Sequence, residues 1–300
     1  MKKLVLLAAA ISCLWVGIAL AGSPDLIFKN FSAPADSEYL DLGRVTVGRD
    51  DFEQFYDYLD QFPNLKKVDM FASTVREAEA DAMTARFPQV DFGWTMKVGG
   101  YTVRTDDTSF STRHGNESTR FGWETFRMLL YCKNLKALDL GHNRIDDLSF
   151  LYDLPQLKVL ILADNKISDL TPIAFQKELE YIELFRNEIM DLSPLSGLEH
   201  LVDLNLVFNR IEDLSPLEKI TSLERLWVNH YNSYNVDTAM DQESLAKLKE
   251  ALPGTLVDTT AVSPTGNGWR KHPRYDCIAR MFRSGGQYEP FPEVKGGSDP

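Results

Sequence analysis

A strict period of 22 residues between positions 135 and 232 constrains the fold of this chain more than any other feature. Leucine recurs at the first position of every period, and the first four periods also carry asparagine at the ninth position and isoleucine at the eleventh. The leucines are Leu135, Leu157, Leu179, Leu201 and Leu223, and the asparagines are Asn143, Asn165, Asn187 and Asn209. A fixed period of this length indicates one small unit stacked along an axis, with each unit burying its apolar face against its neighbours.

The apolar positions inside each unit predict one short strand per repeat. Leu138 and Leu140 alternate with outward-facing positions, and later repeats keep the pattern LxxLxLxxNxIxDLSPL, which is typical of a leucine-rich repeat. Such strands add to a continuous parallel sheet through right-handed connections. We therefore predict an α/β fold, a right-handed leucine-rich repeat solenoid with the parallel sheet on its concave face.

The asparagine, aspartate and proline columns of the repeat have structural explanations. The asparagines can lie inside the turn and bond the backbone of neighbouring repeats, because an unbonded buried amide would be costly. An aspartate precedes a Ser or Thr by two residues in each repeat and can accept hydrogen bonds from free N–H groups there. These aspartates are Asp147, Asp169, Asp191 and Asp213, and Pro172, Pro194 and Pro216 suit the first helical position that follows. A calcium ladder along the aspartates is the alternative.

Changes of pattern divide the rest of the chain. Residues 1–21 predict a cleaved secretory signal peptide, because two lysines precede an apolar run that ends in Ala-Leu-Ala. An uncleaved membrane anchor is the alternative. We expect a linker or unpaired arm over residues 22–38. Residues 39–131 are predicted to form an α/β N-terminal cap with a hairpin at Gly99-Gly100. This cap is also expected to contain an irregular early repeat, which carries Ser73 in the asparagine position.

The regular repeats are assigned to residues 132–232, and their spacing decays after Trp227. A C-terminal cap over 233–284 is expected to contain a helix and one more strand at 256–258. Because a solenoid must cover its last exposed repeat, we expect Trp269, Tyr275, Ile278 and Phe282 to pack there. Residues 285–300 are expected to be a disordered tail.

Charge and cysteine content bear on the class of function. A net charge of −12 disfavours nucleic acid and anionic lipid as partners. Only Cys132 and Cys277 follow the predicted signal peptide, so the chain is no disulfide scaffold. We predict Cys132 to lie in the core, with a Cys132–Cys277 disulfide as the alternative. The sequence contains no metal-ligand spacing, phosphate loop or catalytic constellation, and we predict no cofactor, no metal site and no enzymatic activity.

Motifs inside and outside the repeats carry a resemblance to a known family. The motifs DLGHNRIDDLSFL and LILADNKISDLTPI resemble the repeats of internalins. The segments WTMKVGGYTVRTD at 94–106 and SPTGNGWRKHPRY at 263–275 resemble those flanking the repeats in exported leucine-rich repeat proteins of Gram-positive gut bacteria. This resemblance covers about residues 40–283. It implies location outside the cytoplasm, secreted or on the cell surface, and recognition of a protein or glycan.

The positions that the repeat leaves unconstrained predict the ligand site. Outward residues of the concave sheet would normally be polar, yet several are aromatic or aliphatic, and strands about 4.8 Å apart would join them into one patch. Apolar patches rimmed by charge usually mark interaction sites. The predicted partner-binding residues are Ile161, Tyr181, Phe185, Arg186, Val207, Phe208, Arg225 and Trp227. The alternative is that the caps or the 106–119 loop fold over this patch.

Three hypotheses for function follow. The first is a non-enzymatic exported recognition module that binds a protein partner, or in second place a glycan, through the concave face. The second is a structural surface component that assembles with copies of itself. The third is a thiol-dependent enzyme that uses Cys277 with His272 as its base.

Overall fold

The computed structural model describes residues 23–112, 119–229, 242–261, 263, 265, 268–283 and 287–292. The predicted signal peptide at 1–21 lies outside this range. The described part contains a two-stranded hairpin, a four-stranded sheet and a seven-stranded sheet. Its α-helices are α1 (Phe52–Leu59), α2 (Glu77–Arg86), α3 (Gln242–Ala251) and α4 (Pro273–Arg283).

An antiparallel hairpin occupies part of the segment that the sequence suggested was a linker or an unpaired arm. Its strands are β1 (Asp25–Phe28) and β2 (Phe31–Pro34). Phe28 is buried, and its ring centroid lies 5.1 Å from that of Phe55 and 5.6 Å from that of Tyr58, both on α1. This aromatic cluster anchors the hairpin because burying one large side chain contributes about 1.5–3 kcal/mol.

The four-stranded sheet lies in the segment that the sequence predicts to be the N-terminal cap. Its strands are β3 (Tyr39–Asp41), β4 (Lys67–Thr74), β5 (Asp91–Val98) and β6 (Tyr101–Arg104), in that order. The predicted hairpin at Gly99-Gly100 joins β5 to β6, and both glycines have the positive φ values that a tight turn needs, 56° and 91°. Ser73 takes the asparagine role in the irregular repeat, since its Oγ accepts a hydrogen bond of 2.8 Å from the amide of Val47.

The seven-stranded sheet confirms the predicted leucine-rich repeat fold. All neighbouring strands are parallel and follow the order of the chain, so Ala137 pairs with Val159 and Val159 pairs with Tyr181. The strands are β7 (Ser109–Ser111), β8 (Ala137–Asp139), β9 (Val159–Ile161), β10 (Tyr181–Glu183), β11 (Asp203–Asn205), β12 (Arg225–Trp227) and β13 (Leu256–Asp258). The expected strand at 256–258 is present, whereas β7 lies in a segment expected to be a loop.

Short 3₁₀ helices connect the strands behind the sheet. They span Trp123–Tyr131, Ser149–Asp153, Thr171–Phe175, Ser193–Leu195 and Ser215–Lys219. The predicted aspartate turns precede the last four of them, with the amide of Ser149 donating to Asp147 Oδ1 at 2.8 Å and equivalent bonds at Asp169, Asp191 and Asp213. Hydrogen bonds from Thr171 lower the pKa of Asp169 because they favour its charged form.

The asparagine column ties each repeat to the one before it. Asn165 Nδ2 donates to the carbonyl of Leu140 at 3.0 Å and to that of Leu162 at 3.1 Å, while its Oδ1 accepts from the amide of Ile145 at 2.9 Å. Asn187 and Asn209 make the same bonds one and two repeats later. One buried side chain therefore fixes the spacing and register of two adjacent turns.

We predict that Asn165→Ala lowers the free energy of unfolding by about 3 kcal/mol, because buried backbone groups of two repeats lose their partner. Urea denaturation measures this loss. Lys166→Ala, at the exposed neighbouring position, is the control and should change stability by under about 0.5 kcal/mol. Equal effects of the two substitutions would contradict the structural role given to the asparagine column.

Candidate binding site on the concave face

We call the sheet face that carries the third, fifth and seventh residues of each repeat the concave face. The chain covers much of it with its own C-terminal segment, defined as residues 268–283 and 287–292. Trp269, Ile278 and Met281 of this segment are fully buried in one cluster with Tyr181, Phe185, Val207 and Trp227 of the sheet. The expected packing on the last regular repeat is present at Trp269, which contacts Trp227, but the segment extends over the earlier repeats as well.

The segment runs along the whole sheet. Near its start, Trp269 lies 5.5 Å from Trp227 on β12, measured between ring centroids. Near its end, Ser109 on β7 donates from Oγ to the carbonyl of Met281 at 3.2 Å. Residues 287–292 belong to the same packing, since Tyr288 and Phe291 contact the cluster. The expected disordered tail is thus ordered over these six residues.

Five of the eight predicted partner-binding residues lie beneath the C-terminal segment. Tyr181, Phe185, Val207, Arg225 and Trp227 are each 5% exposed or less. The structure contradicts the expectation that these five side chains are exposed to solvent. It agrees with the alternative, in which the chain covers its own apolar patch. The physical reason is that apolar surface is buried by whichever apolar surface is closest, and here it belongs to the same chain. Their role in partner binding stays a prediction.

The other three predicted residues lie at the open end and edge of the face. Ile161 is buried at 6% exposed and belongs to the same cluster, but it also lines a cavity. Arg186 is exposed, and its guanidinium carbon lies 5.5 Å from the ring centroid of the half-buried Phe208. Both belong to a column of residues at the strand ends, with His142 and Asp164, in which every φ is positive, from 53° to 64°. No glycine occupies this column, so the sequence contains no signal of its conformation.

A buried ion cluster fixes the C-terminal segment on the sheet. Asp203 is fully buried and accepts paired hydrogen bonds from Arg225 at 2.8 and 3.0 Å and from Arg274 at 2.7 and 2.8 Å. Burial alone would raise the pKa of Asp203, but the bonds from the two arginines lower it below its ordinary value. The Arg225 guanidinium also stacks on the Trp269 ring, 4.4 Å from its centroid.

A second buried carboxylate, Glu183, also lies between the sheet and the C-terminal segment. Its Oε1 accepts hydrogen bonds from Trp269 Nε1 at 2.8 Å and from the Tyr181 hydroxyl. Its Oε2 lies 3.7 Å from Arg270 Nη2 and has no hydrogen-bond partner among the described residues. Burial raises the pKa of Glu183, which means that keeping this carboxylate ionised costs free energy.

Sequence reasoning missed this set of charged residues, because it treated charged outward positions as solvated. The available signal was the arginine-rich run Trp269–Tyr275 in a chain with acidic residues on several outward positions, such as Asp139, Glu183 and Asp203. Paired charges of opposite sign can be buried together when their hydrogen bonds are satisfied.

The C-terminal segment leaves a cavity of about 630 Å³ at the N-terminal end of the concave face. Four parts of the chain contribute to its walls: the β5–β6 hairpin, Thr112 with Thr119 and Phe121, the first two regular repeats and the C-terminal segment. Its walls include Tyr101, Phe121, Asp139, Gly141, His142, Asn143, Ile161, Ala163, Arg270, Tyr275, Ile278 and Phe282. A cavity of this size, with aromatic walls and a few polar groups, is typical of a ligand site.

Cys277 lacks the environment of a nucleophile. The side chain is buried, and its sulfur lies 3.6 to 3.7 Å from the carbonyl oxygens of Pro290 and Glu289. Burial raises the pKa of this thiol, whereas a reactive cysteine needs a lowered one. His272 Nδ1 accepts a bond of 3.3 Å from the amide of Arg274. Cys132 is buried as expected, and both cysteines are free thiols.

Within the described ranges, no group of three or more His, Cys, Asp or Glu side chains is arranged to hold a metal ion. Of the helices in that part of the chain, none has both the length and the apolar character needed to cross a membrane.

Two family models match the regular repeats. One, described as leucine-rich repeats in two copies, matches residues 133–175, and the other, described as a leucine-rich repeat, matches residues 155–211. None of the curated proteins is significantly similar to the chain. The matches therefore identify the repeats and leave the caps unassigned.

Solved structures with a similar fold include two internalins from Listeria monocytogenes and a leucine-rich repeat protein from Leptospira interrogans. Internalin C2 is 18% identical with a TM-score of 0.35, covering 79% of this chain and 80% of its own. Internalin inlF is 17% identical with a TM-score of 0.33, covering 70% and 66%. The Leptospira protein is 15% identical with a TM-score of 0.36, covering 72% and 82%. Similarity this distant is no guide to the ligand.

We predict that Asp203→Ala lowers the free energy of unfolding by about 3–5 kcal/mol, because it leaves the buried guanidiniums of Arg225 and Arg274 without their carboxylate. Amides of α4 should lose protection in hydrogen exchange at the same time. Glu224→Ala is the matched control, since it removes the half-exposed partner of the same Arg274 and should cost under about 1 kcal/mol. Unchanged protection of α4 in the Asp203 variant would show that the ion cluster does not hold the segment.

Proposed function

We propose that this chain is an exported, non-enzymatic recognition module that binds a protein partner at the N-terminal end of its concave face. The observation that carries the proposal is the cavity of about 630 Å³ between the first repeats, the β5–β6 hairpin and the C-terminal segment. Leucine-rich repeats typically mediate recognition between proteins, and the family matches cover the repeats that form one wall of this cavity.

Arg186 and Phe208, the predicted residues that keep exposed surface, extend this site along the sheet edge. Ile161 lines the cavity, and Arg186 and Phe208 continue from it along the column of strand ends that begins at His142. An arginine beside an aromatic ring is a combination enriched at protein interfaces. The five covered residues act indirectly in this proposal, because they hold the segment that forms the opposite wall.

Support for a protein rather than a glycan comes from the mixture of aliphatic and aromatic walls in the cavity. Ile161, Ile278 and Phe282 favour an apolar side chain of a partner over a polar sugar ring. Export rests on the signal-peptide pattern of residues 1–21, and the net charge of −12 suits a soluble exported protein.

We expect the double substitution Arg186→Ala with Phe208→Ala to reduce partner capture at least about tenfold, because it removes the accessible rim of the site. Capture is measured from host and bacterial surface extracts, followed by affinity measurements with the purified partner. Phe175→Ser, at a position 61% exposed behind the sheet, is the control and should bind like the unsubstituted protein.

Two results would contradict the proposal. Capture by the double variant at the unsubstituted level would place the partner on another surface. Concentration-dependent association of the purified chain, without external partner and lost in the Phe175 variant, would favour the self-assembling surface component instead.

A further inference from the structure

We infer that the cavity on the concave face receives a neutral aromatic side chain of the protein partner, held among Tyr101, Phe121 and Phe282. This inference rests on the proposed function, because it names the side chain that a partner inserts at the same site. It follows from three observations. Partly exposed aromatic rings converge on the cavity, one column of the repeat carries small side chains there, and the charged walls are engaged with groups of the chain itself.

Aromatic rings from three separate parts of the chain line the cavity. Tyr101 belongs to the β5–β6 hairpin, Phe121 precedes the regular repeats, and Phe282 belongs to the C-terminal segment. All three are half-buried. Such rings keep apolar surface that a ligand can cover, and their convergence on one cavity is typical of a binding site.

Two of these rings are held in place by contacts inside the chain. The Tyr101 hydroxyl donates to the carbonyl of Thr112 at 2.6 Å, and its ring lies edge-on to that of Phe110 with centroids 5.6 Å apart. The Phe121 ring is nearly perpendicular to that of Phe126, with centroids 6.0 Å apart. A ligand therefore meets rings that are already oriented, which reduces the entropy lost on binding.

The repeat itself shows which kind of side chain this space accepts. At its seventh position the third regular repeat carries Phe185, which is 2% exposed and packs in one cluster with the C-terminal segment. The first two regular repeats carry Gly141 and Ala163 at the same position, and both line the cavity. A partner's ring would take at these two repeats the place that the Phe185 ring takes at the third.

The ionisable side chains in the walls favour a neutral ligand. The Asp139 carboxylate accepts a hydrogen bond of 3.0 Å from the backbone amide two residues later, and His142 Nδ1 lies 2.9 Å from Asp164 Oδ2. Arg270 Nη2 lies 3.7 Å from the buried Glu183 carboxylate. A charged ligand would have to compete with these internal contacts for a partner, whereas a neutral ring only has to leave water.

The test uses the full chain that follows the predicted signal peptide and a series of acetylated pentapeptide amides. Each peptide has two glycines on either side of one variable residue, which is tryptophan, phenylalanine, leucine, lysine or glutamate. Saturation-transfer NMR identifies the side chains that contact the protein, and titration gives the dissociation constants. We expect the two aromatic peptides to bind roughly two- to tenfold more tightly than the leucine peptide, because contacts between rings add to the area buried. The two charged peptides should bind more weakly than the leucine peptide.

Variants separate the contact between rings from apolar burial. Phe121→Leu and Phe282→Leu keep apolar surface in the walls and remove a ring, so each should reduce the preference for the aromatic peptides over the leucine peptide. Phe175→Leu is the matched control, because it makes the same substitution at an aromatic residue that is 61% exposed behind the sheet. It should leave every dissociation constant unchanged.

Filling the cavity tests its location. Ala163→Phe copies the residue of the next repeat and should abolish binding of every peptide. The thermal midpoint is measured for this variant, and if it falls, the two leucine variants decide the inference.

Four results would overturn the inference. They are equal affinity for the leucine and aromatic peptides, tighter binding of a charged peptide, an aromatic preference that survives in both leucine variants, and the absence of saturation transfer to the tryptophan peptide. Displacement of the tryptophan peptide by methyl glucoside would assign a saccharide and overturn it as well. The proposed function is decided separately, because a partner captured through Arg186 and Phe208 without any aromatic preference in the cavity would reject only the aromatic anchor.

Discussion

Hydrogen bonds from the buried asparagines are the constraint on which the rest of the repeat structure depends. Each amide bonds the carbonyls of its own turn and of the preceding turn, and accepts one amide proton from that preceding turn. Adjacent turns are therefore held at one register, and equivalent side chains line up in columns across the sheet. Because these columns are straight, the side chains on the outer face behave as one surface.

That outer surface is too apolar to be stable when it is exposed to water, and another segment of the same chain covers it. The C-terminal segment buries Trp269 and Met281 on it and carries Arg274 to the buried Asp203. The hydrophobic contact supplies most of the attraction but no direction, whereas the bidentate ion pairs hold the segment in one position. At the seventh position of the repeat, the small residues Gly141 and Ala163 stand where the next repeat has Phe185. There the same packing leaves the cavity.

Prediction from sequence succeeded where the cause is local or periodic. The parallel strands, the aspartate turns, the Gly99-Gly100 hairpin and the burial of Cys132 all follow from short-range geometry or from the repeat itself. It failed where the cause is contact between distant segments. The β1–β2 hairpin depends on the pocket that receives Phe28, and the order of residues 287–292 depends on the sheet beneath Tyr288 and Phe291.

The sequence by itself determined the repeat unit, the direction of the sheet and the identity of the residues on its outer face. Only the tertiary structure decided which of those residues stay accessible. An aromatic side chain such as Tyr181 gains the same free energy from burial against a partner as against its own chain. The choice depends on whether a complementary segment lies within reach, and here the C-terminal segment covers Tyr181 and Trp227, while Ile161 lines the cavity and Arg186 stays exposed.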